Sequence, residues 1–394
     1  MHFSKPILDF IRHHRESDPA KIALRAKAYP DWPMSWIASQ VAGWQVAKEK
    51  VPTWAEVPTL CYPPKLSLEQ CSSELTSRFK ASLFEGGKRM ADLTGGWGVD
   101  TYFLAENFKE AYHVEEQREL HEIAKYNFGE LKAPHIQAIH GDASQTLSNL
   151  PPLDLIYLDP ARRDAQQRKV FELSHCKPNV IHLLPQLLKK GKSVLLKASP
   201  MVDIPQAVRQ LEQVRQVWVI AVKGECKEVL FELRKGAGLS PKVSAISLGV
   251  EKDEPIVYNQ LQQEKSLASP LSEPLSYLYE PHAAVMKAGL FNTTAHRFQT
   301  GKLHRHTHLY TSEELVENFP GRTFAIKEVL PYNKKSLKRK LPPKANLTVR
   351  NFPQSVAKMR QNLNLKEGGE DYLFATTLSN DRRVMIWTVP CQEL

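Results

Sequence analysis

Between Arg89 and Leu233 short apolar runs alternate with segments long enough to hold a helix, and this alternation constrains the fold more than any other feature. RMADL is the first run, and a helix is expected after Gly98. EAYHVE is the second and leads into RELHEIAKYNF, which has helical character. HIQAIHG, LDLIYLD and KSVLLKA are the third, fourth and fifth. Short apolar strands separated by crossovers predict an α/β chain with a doubly wound parallel sheet. The pattern then changes. QVWVIAV and KEVLFELR are divided only by the turn around Lys223-Gly-Glu225, so they must be antiparallel neighbours. Upstream, Ser67-Leu-Glu-Gln70 fits a capping box, which predicts one helix from there to about Leu83.

The chemistry sits where these strands end. Asp92-Leu-Thr94-Gly95-Gly96-Trp-Gly98 follows the first strand and precedes a helix, so glycines would let the backbone approach a ligand that helix N–H groups face. A dinucleotide fingerprint needs a third glycine where Thr101 stands, and it therefore fails. Asp92 suits the methionine ammonium of S-adenosylmethionine (SAM) instead. Glu115 closes the second strand 23 residues later, where an acid accepts from ribose hydroxyls. Glu116 competes for that role, and the strand phase leaves the choice open. Gly141-Asp142-Ala143 ends the third strand, where Asp142 would meet the adenine amino group or merely cap the next helix. Asp92, Thr94, Gly96, Gly98, Glu115, Asp142 and Ala143 are the candidate cofactor residues. The expected fold is a Rossmann-like SAM-binding core, its parallel sheet ended by the antiparallel hairpin, and a nicotinamide-dependent oxidoreductase is disfavoured.

At these residues a resemblance is clear. SSELTSRFKASLF, MADLTGGWGVDTYFLAE, AYHVEEQRELHEIAKYNF, IHGDA and LDLIYLDPARRD resemble the RNA guanine-N2 methyltransferases, including the cap-trimethylating type. More specifically, the chain is similar to bacterial class I methyltransferases with a C-terminal THUMP-like module, and EPHAAVMKAG, LYTSEEL and VRNFP extend the likeness beyond the core. The resemblance implies SAM as cofactor and structured RNA, tRNA or rRNA, as partner. It places Asp92, Thr94, Gly96, Gly98, Glu115 and Asp142 in the cofactor pocket, with Thr94 standing where many such enzymes have a first glycine.

Asp159-Pro160-Ala161-Arg162 closes the fourth strand. Amino methyltransferases usually carry an acid or amide, two prolines and an aromatic ring there; the acid accepts from the exocyclic amine and the ring stacks on the base. Asp159 and Pro160 keep the first half, whereas Ala161 and Arg162 replace the second proline and the ring. Arg162 would stack on a base or hold a phosphate. This departure leaves the methylated atom open. It also keeps alive a second reading, a SAM-binding RNA-binding protein without turnover. No cysteine lies near the motif or after the fifth strand, so attack on a base carbon lacks its nucleophile. Lys197, at the end of the fifth strand, is a candidate substrate contact, with a solvated charge as its plain alternative.

Charge is uneven. The 394 residues carry a net +10, and residues 321–360 hold eleven Lys/Arg against the single acid Glu328. A basic module on a nearly neutral body suggests a polyanionic partner. Lys334, Lys335, Lys338, Arg339, Lys340 and Arg350 are its candidate phosphate contacts. His304, His306 and His308 read as one basic strand face rather than a metal site, and the five scattered cysteines suggest neither disulfides nor zinc. Four tryptophans in the first 54 residues are expected to fill a small helical core, and VPTWAEVPTLCYPPK to form an extended linker. No signal peptide or membrane span is read in the sequence, so the expectation is a cytoplasmic protein. The expected parts are a helical 1–66, a methyltransferase domain 67–236, a connector or small ferredoxin-like domain 237–318, and an α+β THUMP-like basic module 319–394.

Overall fold

The computed structural model describes residues 4–161, 173–238, 240–249, 256–258, 264 and 266–391. The chain divides into two compact units, Met1–Arg215 with Val229–Leu239, and Gln216–Glu228 with Ser240–Leu394. Among the described residues no helix is long and apolar enough to cross a membrane.

In the first unit, β1 (Gly87–Asp92), β2 (Phe108–Glu115), β3 (Ile136–His140), β4 (Leu153–Leu158) and β5 (Gly191–Ala198) run parallel. Their order is β3-β2-β1-β4-β5. The sequence therefore doubles back between β1 and β4, which opens a crevice at their carboxyl ends. Met90, Ala91, Leu155, Ile156 and Leu158 are at most 1% exposed, because helices cover both faces of such a sheet. The hairpin expected from sequence is β6 (Val214–Val222) and β7 (Glu225–Leu233), turning on Lys223 and Gly224, both at positive φ (51° and 78°). Within the first unit β7 is antiparallel to β5.

Two local expectations fail. The helix from Ser67 is in fact two, Lys65–Gln70 and Glu74–Ser82, and Ser73 rather than Ser67 is the cap, accepting from Thr76 N. Cys71 breaks the helix at ψ 156°, so Cys71 and Ser72 become a corner instead of helical surface. The segment 51–65 is not an extended linker either. Trp54 and Cys61 are 1% exposed, and Trp97 Nε1 and Asn127 Nδ2 both donate to the carbonyl of Cys61. These groups pack against Phe103 and Ile123, in the helices Val99–Ala105 and Arg118–Glu130 that follow β1 and β2. Trp44 and Trp54 are core residues, as expected.

The second unit contains β8 (Lys242–Leu248), parallel to β6, and β9 (Ile256–Tyr258), antiparallel to β8. It also contains a seven-stranded sheet: β10 (Tyr277–Pro281), β11 (Gly301–His304), β12 (Thr307–Ser312), β13 (Gly321–Pro331), β14 (Asn346–Val349), β15 (Tyr372–Thr377) and β16 (Arg383–Pro390). The order is β11-β12-β10-β13-β16-β15-β14, around a core that includes Leu278, Phe324, Phe374 and Ile386. His304, His306 and His308 do not share a strand face, because the β11–β12 turn separates them and His308 stacks on Phe291.

Candidate active site

A cavity of about 660 Å³ opens at the carboxyl ends of β1 and β4. Its floor is the turn after β1. Gly98 starts the helix Val99–Ala105 at φ 94°, and a Cβ there would lie 2.6 Å from the Phe128 ring. At Gly95 a Cβ would lie 2.2 Å from His113 Nε2, so that position also tolerates no side chain. His113 is fully buried, and burial pushes its pKa down to about 4, which keeps the imidazole beneath the turn neutral.

Asp92 is 1% exposed and organises this turn. Its Oδ1 accepts from Thr94 N at 2.9 Å, and its Oδ2 accepts from Thr101 Oγ1 at 2.6 Å. Burial, against those hydrogen bonds and with Asp100 and Asp159 nearby, raises its pKa to about 7. Thr101, where a dinucleotide site would need glycine, thus has a positive role here. Thr94 joins the two halves of the site: its hydroxyl accepts from Asp159 N at 2.6 Å and donates to Asp92 Oδ1 at 3.3 Å. Glu115 and Glu116 both line the cavity at the end of β2. Glu115 is 8% exposed and accepts from Gly96 N and Gln117 N, each at 2.7 Å, whereas Glu116 pairs with Lys177. Asp142 is the cap of helix Ala143–Asn149, accepting from Ser144 Oγ, Gln145 N and Ser144 N, and these bonds lower its pKa. Asp142 and Ala143 nevertheless line the cavity with Asp92, Thr94, Gly96, Gly98 and Glu115.

These residues fit SAM. Acids stand at the ends of three neighbouring strands, a helix N-terminus faces the space, and two glycines let the turn that forms its floor pack closely on His113 and Phe128. Asp92 and Glu115 would hold the cationic and ribose ends, and Asp142 the adenine side.

The other half of the cavity is formed by Asp159 and Pro160 after β4. Lys197 does not reach solvent. It is 6% exposed, its Nζ lies 2.5 Å from Asp159 Oδ2, and it also donates to Ser72 Oγ at 3.1 Å. Behind that pair lies a polar network not anticipated from sequence. Asp100 accepts from Ser72 Oγ, Ser77 Oγ and Tyr157 OH, each at 2.6 Å, and Lys80 Nζ stands 3.1 Å away. Burial opposes the charge of Asp100, but Lys80 and Lys197 outweigh it and hold this carboxyl well below the usual carboxylate range. Ser72 is hidden in the sequence because the capping pattern predicts one continuous helix through it, and Lys80 because nothing in a short amphipathic stretch reveals a fully buried ammonium. Ala161 makes a backbone pair with Lys177. Arg162, the third candidate catalytic residue of this motif beside Asp159 and Pro160, lies outside the described residues.

In the second unit, Lys334–Lys340 is a helix capped by Asn333, whose only buried side chain is Leu337. Lys334, Lys335, Lys338, Arg339 and Lys340 are exposed; Lys340 pairs with Glu328, and Lys334 reaches Asn362 at 3.4 Å. Arg350 does not join that helix face. Its guanidinium donates to Glu280 Oε1 at 2.8 Å, and Arg322 takes the other oxygen of the same buried carboxylate. Among the described residues no group of three or more His, Cys, Asp or Glu is arranged to hold a metal ion.

The fold and the first-unit site define a Rossmann-like methyltransferase. The chain is 32% identical to a protein of Porphyromonas gingivalis W83 described as a "putative methyltransferase", with 100% of both chains covered and a TM-score of 0.89. The chain belongs to that methyltransferase family. A family model for a ferredoxin-like domain matches residues 277–320, and one described as THUMP domain-like matches residues 321–390. Two further structures align only partially. A Pyrococcus horikoshii protein described as a "putative RNA methyltransferase" is 19% identical over 48% of this chain and 98% of its own (TM-score 0.34). M. capricolum TrmK, in complex with S-adenosylhomocysteine, is 13% identical over 45% of this chain and 71% of its own (TM-score 0.33). No protein of curated function matches the chain.

Proposed function

We propose that this protein methylates an exocyclic amino group of a base, guanine N2 being the favoured acceptor, in structured RNA such as tRNA or rRNA. The observation that carries the reading is the placement of Asp159 and Pro160 on the same cavity as the Asp92–Gly98 turn, Glu115 and Asp142. When bound, SAM supplies an electrophilic methyl group, whose bond to sulfur breaks, leaving its electron pair on sulfur, as the N–C bond forms. The residues of the chain account for the rest. Asp159 accepts an N–H of the amine and so turns the nitrogen lone pair toward the methyl. It would also take the proton that the amine must shed, and the methylated amine is acidic enough that a weak base suffices. Rigid placement is the main contribution in such an in-line displacement. Lys334, Lys335, Lys338, Arg339 and Lys340 would hold RNA phosphates, and Arg162 would contact the substrate base or a phosphate. The expected setting is cytoplasmic.

One observation favours a second reading, a SAM-binding RNA-binding protein without turnover: Ala161 offers no ring on which a base could stack. Asp159→Ala separates the two. It is expected to reduce transfer of labelled methyl from SAM to RNA by about 1000-fold with SAM affinity within about threefold of wild type. Equal transfer by variant and wild type would remove Asp159 from the chemistry.

A further inference from the structure

We propose that Lys197 is the positioning residue for Asp159, and that through Ser72 and Asp100 it couples the acceptor side of the cavity to the helix that opens from the cofactor turn. This rests on the methyl-transfer reading above. An aspartate carboxylate rotates easily about its last torsion, yet an N–H acceptor must keep one plane during an in-line displacement. Here both ends of Asp159 are held. Its backbone N–H donates to Thr94 Oγ1 at 2.6 Å, and Lys197 Nζ sits 2.5 Å from Oδ2. Oδ1 is then the oxygen directed to a substrate amine.

Stability alone does not account for a lysine at this place. Val194, Leu195 and Leu196 of β5 are 0% exposed, and an apolar side chain at 197 would continue their packing. Burying an ion pair rarely improves on a well-packed apolar pair. Lys197 belongs instead to an alternating series, Lys80, Asp100, Lys197 and Asp159, in which every charge faces an opposite one. Ser72 Oγ accepts from both ammonium groups at 3.1 Å and donates to Asp100 at 2.6 Å. Asp100 lies in the first turn of the helix Val99–Ala105, directly after Gly98. Tyr157, on β4 two residues before Asp159, donates to the same carboxylate. Movement of the cofactor turn would therefore be felt at Asp159 through the side-chain network as well as through Thr94.

The test compares wild type, Lys197→Met and Lys197→Arg in the full-length protein, with bulk tRNA and rRNA as acceptor. SAM affinity is measured by calorimetry and folding by thermal melting. Lys197→Met is expected to lose about 100-fold in kcat with SAM affinity within about threefold, and Lys197→Arg to recover at least tenfold of that loss. A Lys197→Met protein with wild-type kcat, or one impaired only through SAM affinity, overturns the proposal. Should Lys197→Met fail to fold, Ser72→Ala takes its place, because it keeps every charge and removes only the bridge. A five- to tenfold fall in kcat at unchanged SAM affinity then supports the coupling, and wild-type kcat overturns it. Wild-type protein that transfers no methyl to RNA would sink the underlying reading and this proposal with it, whereas active wild type beside an indifferent Lys197→Met sinks the proposal alone.

Discussion

In the first unit Lys80 and Lys197 are 0% and 6% exposed, and each faces a carboxylate within 3.1 Å; in the second, Lys335, Lys338 and Arg339 stand in solvent on a helix that buries only Leu337. Both regions are rich in cations, but the physics differs. A buried ammonium cannot be left without its counter-charge, so its geometry is rigid and each residue is individually important. Exposed cations act as a field, each adding a little, and salt weakens them together. The first arrangement suits chemistry at one atom. The second suits the backbone of a long polyanion.

Breaking the buried arrangement should have the largest effect. Asp100→Asn keeps the shape but removes the buried carboxylate that Lys80 faces, and about 3–5 kcal/mol of stability should be lost, roughly 10 °C in thermal melting. A variant that melts with wild type would show that the ladder of charges does not depend on Asp100. A smaller effect tests the cofactor half. With Asp92 titrating at about 7 in the free protein, the folded state between about pH 4 and 7 holds a proton that the unfolded chain lacks. Raising the pH through that window therefore destabilises the free protein. A bound cation favours the ionised form, so SAM affinity should rise about tenfold from pH 6 to pH 8, and Asp92→Asn should flatten the profile. Calorimetry at the two pH values checks this, and a pH-independent wild type would detach Asp92 from cofactor binding. The smallest effect per residue is expected in the second unit. Lys338→Ala/Arg339→Ala/Lys340→Ala should leave stability within about 0.5 kcal/mol and lower the salt dependence of RNA binding by roughly 0.7–0.9 per lost contact. An unchanged slope would take this helix out of the interface.

The same contrast explains what the sequence made legible. Strand ends are marked by a change from apolar to acidic residues, so Asp92, Glu115, Asp142 and Asp159 could be placed at the sheet edge from pattern alone. The exclusion of a dinucleotide site at Thr101 likewise needed only spacing. Partner choice was not legible. Whether Asp142 meets a ligand or caps a helix, or whether Lys197 is solvated or buried against Asp159, depends on contacts between residues far apart in the chain. Ser72 and Asp100 are 28 residues apart, and Ser72 and Lys197 are 125 apart. The break at Cys71 was hidden for a related reason: Ser67-Leu-Glu-Gln70 satisfies the capping pattern, but Ser73 makes the bond. Arg350 lies near the lysines in sequence, but Glu280, 70 residues away, draws it elsewhere.

The central claim is methyl transfer to a base amine, and nucleoside mass spectrometry of RNA incubated with the purified protein and isotopically labelled SAM tests it most directly. The expected result is a labelled nucleoside carrying one added methyl on an exocyclic amino group, N2-methylguanosine foremost, absent from the Asp159→Ala reaction. RNA that gains no labelled methyl, while the protein still binds both SAM and RNA, would contradict the account.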